Sequence, residues 1–317
     1  MDSFSGKMAV ITGGGSGMGR CLVTQLAEKG CHVAFCDLDD DAMRGTLELC
    51  ADAGTAGTRV TAHRCDVSAE ADLDRFREEI AAQHDTAHIN LLFNNAGVSG
   101  GQSFVRDDRA QWEKTFDICW GGVYLGCRVF LPMLLEADEA HIVNTSSVNG
   151  FWACLGGSME HTAYSAAKFA VKGFSEALVT DLRVNAPHIH VSVVMPGHIG
   201  TSIALNTHRM WSGEPSEMDA AAVERTRERW TRLDTGAAAL SDDMVRDLVA
   251  RSVEDFRDKA PTSAAEAADI MLQGVLDNRW RVLVGDDAVA LDRAVREHPE
   301  RAYEDNFFDF SIGGNPD

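Results

Sequence analysis

The chain has 317 residues, 45% of them hydrophobic, which is enough for one large core and argues against disorder. The net charge of −20 repels phosphate backbones, so nucleic acid is not expected as a partner. Apolar runs are far shorter than the roughly 18 residues of a membrane span, and the N-terminal residues lack a signal-peptide pattern. The eight cysteines contain no C-x-x-C pair. We therefore expect reduced thiols in a cytoplasmic protein without membrane contact.

Short apolar runs alternate with longer amphipathic stretches along the first two-thirds of the chain. Apolar strands separated by helices predict a parallel sheet covered on both faces, which is a doubly wound α/β fold of the Rossmann type with three α/β/α layers. The predicted strands are 7–12, 31–37, 59–65, 88–94, 140–146 and 190–195. The predicted helices are 17–29, 40–53, 69–84, 107–136 and 162–185.

The pattern changes after the sixth strand. Residues 200–259 are highly charged and show no convincing strand, whereas a helix and a strand resume at 263–276 and 281–284. About 60 residues between sheet elements are too many for an ordinary loop. We therefore expect helices that form a lid over the site.

A glycine-rich stretch joins the first strand to the first helix. Glycines there permit a tight turn and let backbone amides approach a pyrophosphate, which the N-terminus of the helix also attracts. The position between a strand and a helix favours a nucleotide-binding loop over a merely structural turn. The candidate residues are Gly13, Ser16, Gly17, Met18 and Gly19.

Asp37 ends the second strand, 18 residues after Gly19. At this spacing an acidic side chain accepts hydrogen bonds from an adenosine ribose, and its charge would repel a 2′-phosphate. Neither position 16 nor position 37 carries a basic residue that could bind that phosphate, so the sequence favours NAD over NADP. Asp37 could instead cap the helix that follows.

Five motifs occur in one order and register along the chain. They are Thr12-Gly13-Gly14-Gly15-Ser16-Gly17-Met18-Gly19, Asn94-Asn95-Ala96-Gly97, Ser146-Ser147, Tyr164-Ser165-Ala166-Ala167-Lys168 and Pro196-Gly197-His198-Ile199-Gly200-Thr201. Together they resemble the short-chain dehydrogenase/reductase family over about residues 5–201. The resemblance implies an oxidoreductase that moves a hydride between NAD and a secondary alcohol or ketone.

The resemblance assigns the proton chemistry to Ser147, Tyr164 and Lys168. Tyr164 and Lys168 are four residues apart and share a helix face. A free tyrosine has a pKa near 10, and the nearby ammonium is expected to lower it so that Tyr164 serves as acid and base. Ser147 would stabilise charge on the substrate oxygen. In the family the matching lysine also holds the nicotinamide ribose, so Tyr164 and Lys168 are cofactor contacts as well.

Further residues match cofactor contacts of the family after the third, fourth and sixth strands. Asn94 could also be a purely structural bridge, and both roles can hold. Thr201 could instead cap the next helix. No cluster of metal ligands is evident, so no metal is expected. The matching residues are Asp66, Val67, Asn94, Ala96, Gly97, Pro196, Gly197, Ile199 and Thr201.

Cys119 departs from the family pattern. It aligns with an asparagine that, in the family, orders a water in the proton relay. A thiol is a weaker hydrogen-bond partner than an amide, so we expect slower catalysis or a relay through another group. Replacing Cys119 with Asn should then raise turnover. Redox sensing has no further support, and an inert buried thiol is the simpler interpretation.

The segment between Ser147 and Tyr164 is longer than is common in the family. It contains Trp152 and Met159, is apolar and glycine-rich, and is expected beside the nicotinamide. These side chains suggest a bulky, apolar substrate, although they could equally belong to the core. His161 and His198 lie near the site in sequence, but a lone histidine is more often structural, so neither is assigned a role.

The leading interpretation is an NAD-dependent enzyme that acts on a small-molecule secondary alcohol or ketone. One Rossmann-type catalytic domain is expected over 1–285, with the lid insertion at 202–262 and a C-terminal extension at 286–317. The aromatic residues of 306–310 are expected to pack on another surface, such as a partner subunit. The family resemblance implies a homo-oligomer, either a tetramer or a dimer, formed partly through the fourth and fifth helices.

Two other functions remain open on the same fold, because fold does not fix function. One is a catalytically weak, NAD-binding regulator or scaffold, which Cys119 favours and the intact Ser147, Tyr164 and Lys168 disfavour. The other is epimerisation or dehydration with the same cofactor. The motif spacing and the lack of a large separate substrate domain disfavour this second alternative.

Overall fold

The computed structural model of the protein describes residues 1–52, 57–100, 103–106, 108–154, 160–233, 236–304 and 307–308. Strands and helices alternate along these residues. The strands are β1 (Met8–Thr12), β2 (His32–Asp37), β3 (Val60–Arg64), β4 (Leu91–Asn94), β5 (Ala140–Thr145), β6 (Ile189–Pro196), β7 (Ile199–Gly200), β8 (Thr262–Ser263) and β9 (Arg281–Val284). The α-helices are α1 (Gly17–Glu28), α2 (Asp40–Asp52), α3 (Glu70–His84), α4 (Arg109–Phe116), α5 (Gly122–Leu135), α6 (Thr162–Asn185), α7 (Ile203–Ser212), α8 (Ala220–Arg232), α9 (Asp242–Asp258), α10 (Ala264–Leu276) and α11 (Asp286–Glu297).

Seven parallel strands form one sheet in the order β3-β2-β1-β4-β5-β6-β9. Every residue of β1 and β4 is buried, which explains why these strands read as apolar runs without alternation. The strand order reverses between β1 and β4. In sheets of this kind, ligands bind at the carboxyl ends of the strands beside such a reversal.

Two apolar layers cover the two faces of the sheet. Leu92, Phe130 and Val171 lie in the layer that includes side chains of α3, α5 and α6. Leu22 and Met271 lie in the opposite layer, which α1 and α10 help to form. The predicted three-layer, doubly wound α/β fold is therefore confirmed.

The fourth helical stretch is interrupted where the sequence predicts one helix over 107–136. α4 ends at Phe116, a π-helical turn covers Asp117–Gly121, and α5 begins at Gly122. π-Helical turns are rare in proteins overall, but those that do occur are often found at functional sites. This one carries Cys119, which is fully buried. Residue 107 lies outside the described part of the chain.

By length and composition, the stretch Arg109–Leu135 is long and apolar enough to cross a membrane. Polar residues such as Arg128 interrupt its apolar runs, which is why the sequence predicted no membrane span. In the structure, 56% of its most apolar window is buried inside the protein. A buried core helix passes the same test, so this hydropathy is weak evidence for a membrane.

Three helices, α7 to α9, fill the segment after the sixth strand, as predicted. They have a small core of their own that includes Val223, Val245 and Val249. The segment begins and ends at one short strand pairing, in which Ile199 lies opposite Thr262. This pairing anchors both ends of the insertion beside the carboxyl end of β6.

The described residues near the C-terminus, up to 304 and at 307–308, pack on their own chain. The ring centroids of Phe307 and Phe308 each lie 6.3 Å from that of Trp152, whose indole donates a hydrogen bond to the Ala302 carbonyl. Trp152 is 2% exposed. It therefore belongs to the core and does not wall the substrate site, and the described aromatic residues of 306–310 need no partner subunit for their burial. The other residues of 306–310 lie outside the described part of the chain.

Candidate functional site

Two adjoining cavities open at the carboxyl ends of the central strands. The larger, about 750 Å³, has Gly13, Asp37 and Asp66 in its wall and is called the glycine-loop cavity. The smaller, about 320 Å³, has Ser147 and Tyr164 in its wall and is called the tyrosine cavity. The residues that line both are Met18, Asn95, Gly97, Thr201 and Ile203.

The glycine loop leaves no room for side chains. Gly13 has a φ of +70°, and a Cβ there would lie 2.9 Å from the Ala96 backbone. A Cβ on Gly19 would lie 2.0 Å from the Gly13 carbonyl, so α1 packs directly on the loop. Ser16 begins α1 without a side-chain cap and lines the cavity. The amides of the first turn therefore remain available to an anion such as a pyrophosphate.

Asp37 lies in the wall of the glycine-loop cavity and faces the loop itself. Its Oδ2 accepts a hydrogen bond of 2.9 Å from the Gly15 amide. The cap of α2 is Asp39, whose Oδ1 accepts from the Asp41 and Ala42 amides at 3.0 and 2.9 Å. The capping alternative for Asp37 is therefore not needed, and its carboxylate stays at the cavity.

Asp66 and Val67 line the same cavity beyond β3. Asp66 accepts a hydrogen bond of 2.9 Å from Lys114 Nζ and one from the Ser68 hydroxyl. Burial would raise the pKa of Asp66, but these hydrogen bonds outweigh it and lower that pKa below its usual value. Asp66 is therefore a fixed negative charge.

The motif after β4 divides into a structural and a cavity-lining part. Asn94 is 1% exposed, lines neither cavity, and donates to Asn144 Oδ1 at 2.8 Å, which joins β4 to β5. Asn95 lines both cavities and donates to the Thr12 carbonyl at 3.2 Å. Ala96 and Gly97 also line the larger cavity. The geometry thus supports the bridging alternative for Asn94.

Ser147, Tyr164 and Lys168 come together in the tyrosine cavity. Tyr164 and Lys168 lie one turn apart near the start of α6, and Lys168 Nζ is 5.3 Å from the centroid of the Tyr164 ring. Lys168 Nζ donates to the Thr145 carbonyl at 2.8 Å. Ser147 follows β5, and its Oγ accepts a hydrogen bond of 3.1 Å from the Asn149 amide and lies close enough to Tyr164 to affect its pKa. The sequence motifs thus predicted three side chains that the fold places around one point.

The electrostatics differ from the sequence expectation. Burial raises the pKa of Tyr164 above its usual value of 10.0, Cys119 adds to this, and only the hydrogen bond to Ser147 lowers it. Burial also lowers the pKa of Lys168. The lowering of the Tyr164 pKa by Lys168 is therefore not found. Desolvation of the phenol is the largest effect on its pKa, and Lys168 is not among the groups that shift it.

Cys119 lies beside the same group of residues. Its thiol donates to the Val98 carbonyl at 3.2 Å. A Cβ on Gly97 would lie 3.7 Å from Lys168 Nζ and 3.8 Å from Cys119 Sγ, so both groups approach the same backbone atom. Full burial and a committed hydrogen bond favour the inert-thiol interpretation.

The loop after β6 borders the tyrosine cavity through Pro196, Gly197, Ile199 and Thr201. Thr201 contacts both the lid and the glycine loop, while the N-cap of α7 is Ser202. It accepts a long hydrogen bond of 3.5 Å from Ile203 at the start of α7, and it also lies across from the glycine loop, since a Cβ on Gly17 would be 3.1 Å from it. The loop thus joins the lid to the glycine loop.

Two residues hold this loop from outside the expected site. Asp287, at the start of α11, accepts a hydrogen bond of 2.7 Å from the His198 amide. The His198 ring lies 2.7 Å from the Phe256 carbonyl at the end of α9, and only Nε2–H can donate to it. His198 therefore has a structural part here. Within the described ranges, no group of three or more metal-binding side chains is close enough to hold an ion.

Comparison with known proteins identifies the family. Residues 7–210 match the family model for short chain dehydrogenases. The chain belongs to the short-chain dehydrogenase family. Members of this family are oxidoreductases that bind nicotinamide cofactors and act on small molecules.

Relatives of this short-chain dehydrogenase agree with the assignment. It is 38% identical over 225 residues to the putative oxidoreductase SadH of Mycobacterium tuberculosis, covering 71% of this chain and 78% of that protein. It is 30% identical over 200 residues to human epidermal retinol dehydrogenase 2, covering 63% and 62% of the two chains. A short-chain dehydrogenase/reductase from Burkholderia phymatum, solved in complex with NAD, superposes with a TM-score of 0.74 at 27% identity, covering 98% of this chain and 99% of that one.

Sequence reasoning missed three basic residues of this short-chain dehydrogenase: Arg20 and Arg209 line the glycine-loop cavity, and Lys114 contacts Asp66 in its wall. Arg20 lines the glycine-loop cavity and donates from Nε to the Gly15 carbonyl at 3.0 Å. Its place directly after the glycine motif was a usable signal. Lys114 pairs with Asp66, but the two residues are 48 positions apart, and the sequence gives no signal for that contact.

Proposed function

We propose that the protein is an NAD-dependent oxidoreductase that interconverts a secondary alcohol and a ketone. The observation that carries this proposal is the meeting of Ser147, Tyr164 and Lys168 in one cavity that adjoins the glycine loop. A dinucleotide laid along both cavities would bring its nicotinamide end to these three side chains.

Two features of the glycine-loop cavity support NAD over NADP. Asp37 keeps a carboxylate at the cavity wall, where it would accept hydrogen bonds from a ribose and repel a 2′-phosphate. Arg20, the basic residue near it, is committed to the Gly15 carbonyl and to Thr46 Oγ1 at 3.1 Å. These contacts hold Nε of Arg20 on the loop, and Arg209, the other arginine in the cavity wall, pairs with Glu214 at 2.6 Å.

Side chains of the protein would carry out the proton transfer. Ser147 would hold the substrate oxygen, and Tyr164 would give that oxygen a proton in reduction or take one in oxidation. Lys168 would hold the nicotinamide ribose and set the field around Tyr164. The cofactor supplies the hydride acceptor or donor when bound. A positive charge brought close to Tyr164 would favour its phenolate and offset the burial that raises its pKa.

The walls of the tyrosine cavity support an apolar substrate. Val148, Ile199, Ile203 and Phe256 line it, and Phe256 reaches it from the lid. The 320 Å³ cavity suits a molecule of moderate size. Met159, expected in this wall, lies outside the described residues.

The test is NADH absorbance during turnover of a panel of bulky secondary alcohols and their ketones, with NAD and NADP compared. NAD-linked turnover in the panel, with much weaker NADP-linked turnover, is the expected result. A preference for NADP would contradict the cofactor part of the proposal. Tight NAD binding without turnover of any compound would contradict the reaction.

A second candidate function is an NAD-binding regulator on the same fold. The observations that favour it are Cys119 in place of the family asparagine and the raised pKa of Tyr164. The same panel decides between the two functions, because a regulator would bind NAD without turning over substrate.

We also propose that the protein is a cytoplasmic homo-oligomer, a dimer or a tetramer. Trp120, Tyr124 and Phe174 form an aromatic group between the fourth helical stretch and α6. Tyr124, a member of this group, is 45% exposed. Such a face is typical of an interface. Mass measurement by light scattering should give two or four chains, and Tyr124→Glu should lower that number; a wild-type monomer would contradict the proposal.

A further inference from the structure

Ser99 and His161 form a polar corner of the tyrosine cavity that the proton chemistry does not use. Both line the cavity together with Tyr164, and Ser99 Oγ lies 3.4 Å from His161 Nε2. The His161 ring stacks on that of Tyr164, with centroids 4.6 Å apart and planes 16° from parallel. The corner therefore adjoins the reacting position.

The hydrogen bonding of His161 decides the direction in which Ser99 donates. His161 is 6% exposed, and within the described part of the chain its Nδ1 has no hydrogen-bond partner. A buried N–H without an acceptor is less tolerated than a buried lone pair without a donor, so the ring proton belongs on Nε2. Nε2 then donates to Ser99 Oγ, and the hydroxyl proton of Ser99 remains free to donate elsewhere.

His161 stays in this neutral state over the working range of most enzymes. Burial, with a smaller effect from Arg229, lowers the pKa of His161 to about 4. Ser99 itself is held in place from the lid, because its amide donates to Thr207 Oγ1 of α7 at 2.8 Å. A fixed backbone and a fixed acceptor role leave the Ser99 hydroxyl as an oriented donor.

We propose that Ser99, oriented by His161, donates a hydrogen bond to a second oxygen of the substrate. The preferred substrates are then secondary alcohols or ketones that carry a further hydroxyl or carbonyl oxygen near the reacting carbon. Ser147 and Tyr164 are engaged with the reacting oxygen, so a different donor is needed for a second one. This inference rests on the proposed function and makes Ser99 a specificity-determining residue.

The experiment compares matched substrate pairs with NAD: cyclohexanol with cyclohexane-1,2-diol, cyclooctanol with its vicinal diol, and 1-indanol with indane-1,2-diol. The readout is the ratio of kcat/KM for the diol to kcat/KM for the mono-alcohol. The wild-type protein should prefer the diol, and Ser99→Ala should lower the ratio about three- to tenfold, as expected for one lost hydrogen bond. His161→Phe keeps an aromatic ring on Tyr164, removes Nε2, and should lower the ratio in the same direction.

Ser252→Ala is the matched control, because Ser252 is exposed on α9 and lines neither cavity. If Ser99→Ala does not fold, Ser99→Cys replaces it, since a thiol is a weak donor of similar shape. The inference is overturned if the wild-type protein prefers the mono-alcohol in every pair, or if the Ser99 variant has the same ratio as Ser252→Ala. Absence of NAD-linked turnover with every compound is a different failure, which overturns the proposed function and removes the basis of this inference.

Discussion

The two cavities of the site have opposite effects on the charged forms of their ionisable side chains. In the glycine-loop cavity, burial would raise the pKa of Asp66, but hydrogen bonds from Ser68 and Lys114 lower it. In the tyrosine cavity, burial dominates, so that the pKa of Tyr164 is raised and that of Lys168 is lowered. The first cavity stabilises fixed charges, whereas the second favours neutral groups.

This difference indicates that the two cavities have separate roles, ligand binding in the first and proton transfer in the second. The glycine-loop cavity is ready to hold a charged ligand, because its amides, its carboxylates and their partners are already in place. In the tyrosine cavity, burial disfavours the charged forms of Tyr164 and Lys168, so its proton chemistry is expected to depend on charge that arrives with the ligand. Binding in the first cavity is therefore expected to be separable from reaction in the second.

The largest expected effect is on the loop that binds the ligand. Gly19→Ala places a Cβ about 2.0 Å from the Gly13 carbonyl and 2.7 Å from Asn95 Nδ2, so α1 must move away from the loop. NADH affinity, measured by fluorescence titration, should fall at least about a hundredfold, because several amide contacts are lost together. Gly173→Ala is the control, since nothing lies within 4 Å of its added Cβ. Equal NADH affinity in both variants would contradict the role of the loop.

A smaller effect in the same cavity concerns the choice of cofactor. Asp37→Ser removes the carboxylate, so NAD should bind about tenfold more weakly and the ratio of NADP to NAD turnover should rise. Asp41→Ser removes an exposed carboxylate in the first turn of α2 that lines neither cavity, so it should leave that ratio unchanged. An unchanged ratio in Asp37→Ser would show that another group selects the cofactor.

The two cavities should lose their contributions to the free energy of unfolding over different ranges of acidic pH. The pKa of His161 is about 4 in the folded protein against a usual 6.5, so the unfolded chain binds more protons between these values and stability falls as pH drops from 6.5 towards 4. At pH 5 this loss is about 2 kcal/mol. Asp66, whose pKa is lowered, loses its contribution only below its usual 3.8.

The measurement for this window is the free energy of unfolding from urea titrations at pH 7 and pH 5. His161→Phe cannot take up the proton and should show a smaller fall than the wild-type protein. His88→Asn, at an exposed histidine, is the control and should behave like the wild type. A wild-type fall equal to that of His161→Phe would mean that His161 is not a buried neutral group.

The smallest expected effect is at Cys119. Cys119→Asn should raise turnover a few-fold, because an amide is the better hydrogen-bond partner beside Lys168. Cys119→Ser, which keeps a small donor for the Val98 carbonyl, is the matched variant. Steady-state kinetics decide the matter, and a large fall in turnover for the folded Asn variant would refute the relay explanation.

The sequence was sufficient where function depends on residues fixed by one element. The four-residue spacing of Tyr164 and Lys168 determines their shared helix face, and Ser147 follows a strand that the alternation of apolar strands and amphipathic helices predicts. The helix over 162–185 and the strand over 281–284 have the bounds that the sequence predicts. Local periodicity and strand order explain this agreement.

The sequence was insufficient where contacts join distant parts of the chain. Trp152 could be assigned to the substrate wall because its partners Phe307 and Phe308 are about 150 positions away. The pKa of Tyr164 was also predicted in the wrong direction. The sequence shows that an ammonium is near, but not that the packed fold partly buries the phenol and raises its pKa. Burial is a property of the packed fold.

The most direct test of the central claim is turnover and NADH binding in Tyr164→Phe. If Tyr164 exchanges the proton while the glycine loop holds the cofactor, NAD-linked turnover of the panel should fall at least about a hundredfold, with NADH affinity within a few-fold of the wild type. Turnover that persists in Tyr164→Phe would show that another group moves the proton and would contradict the account.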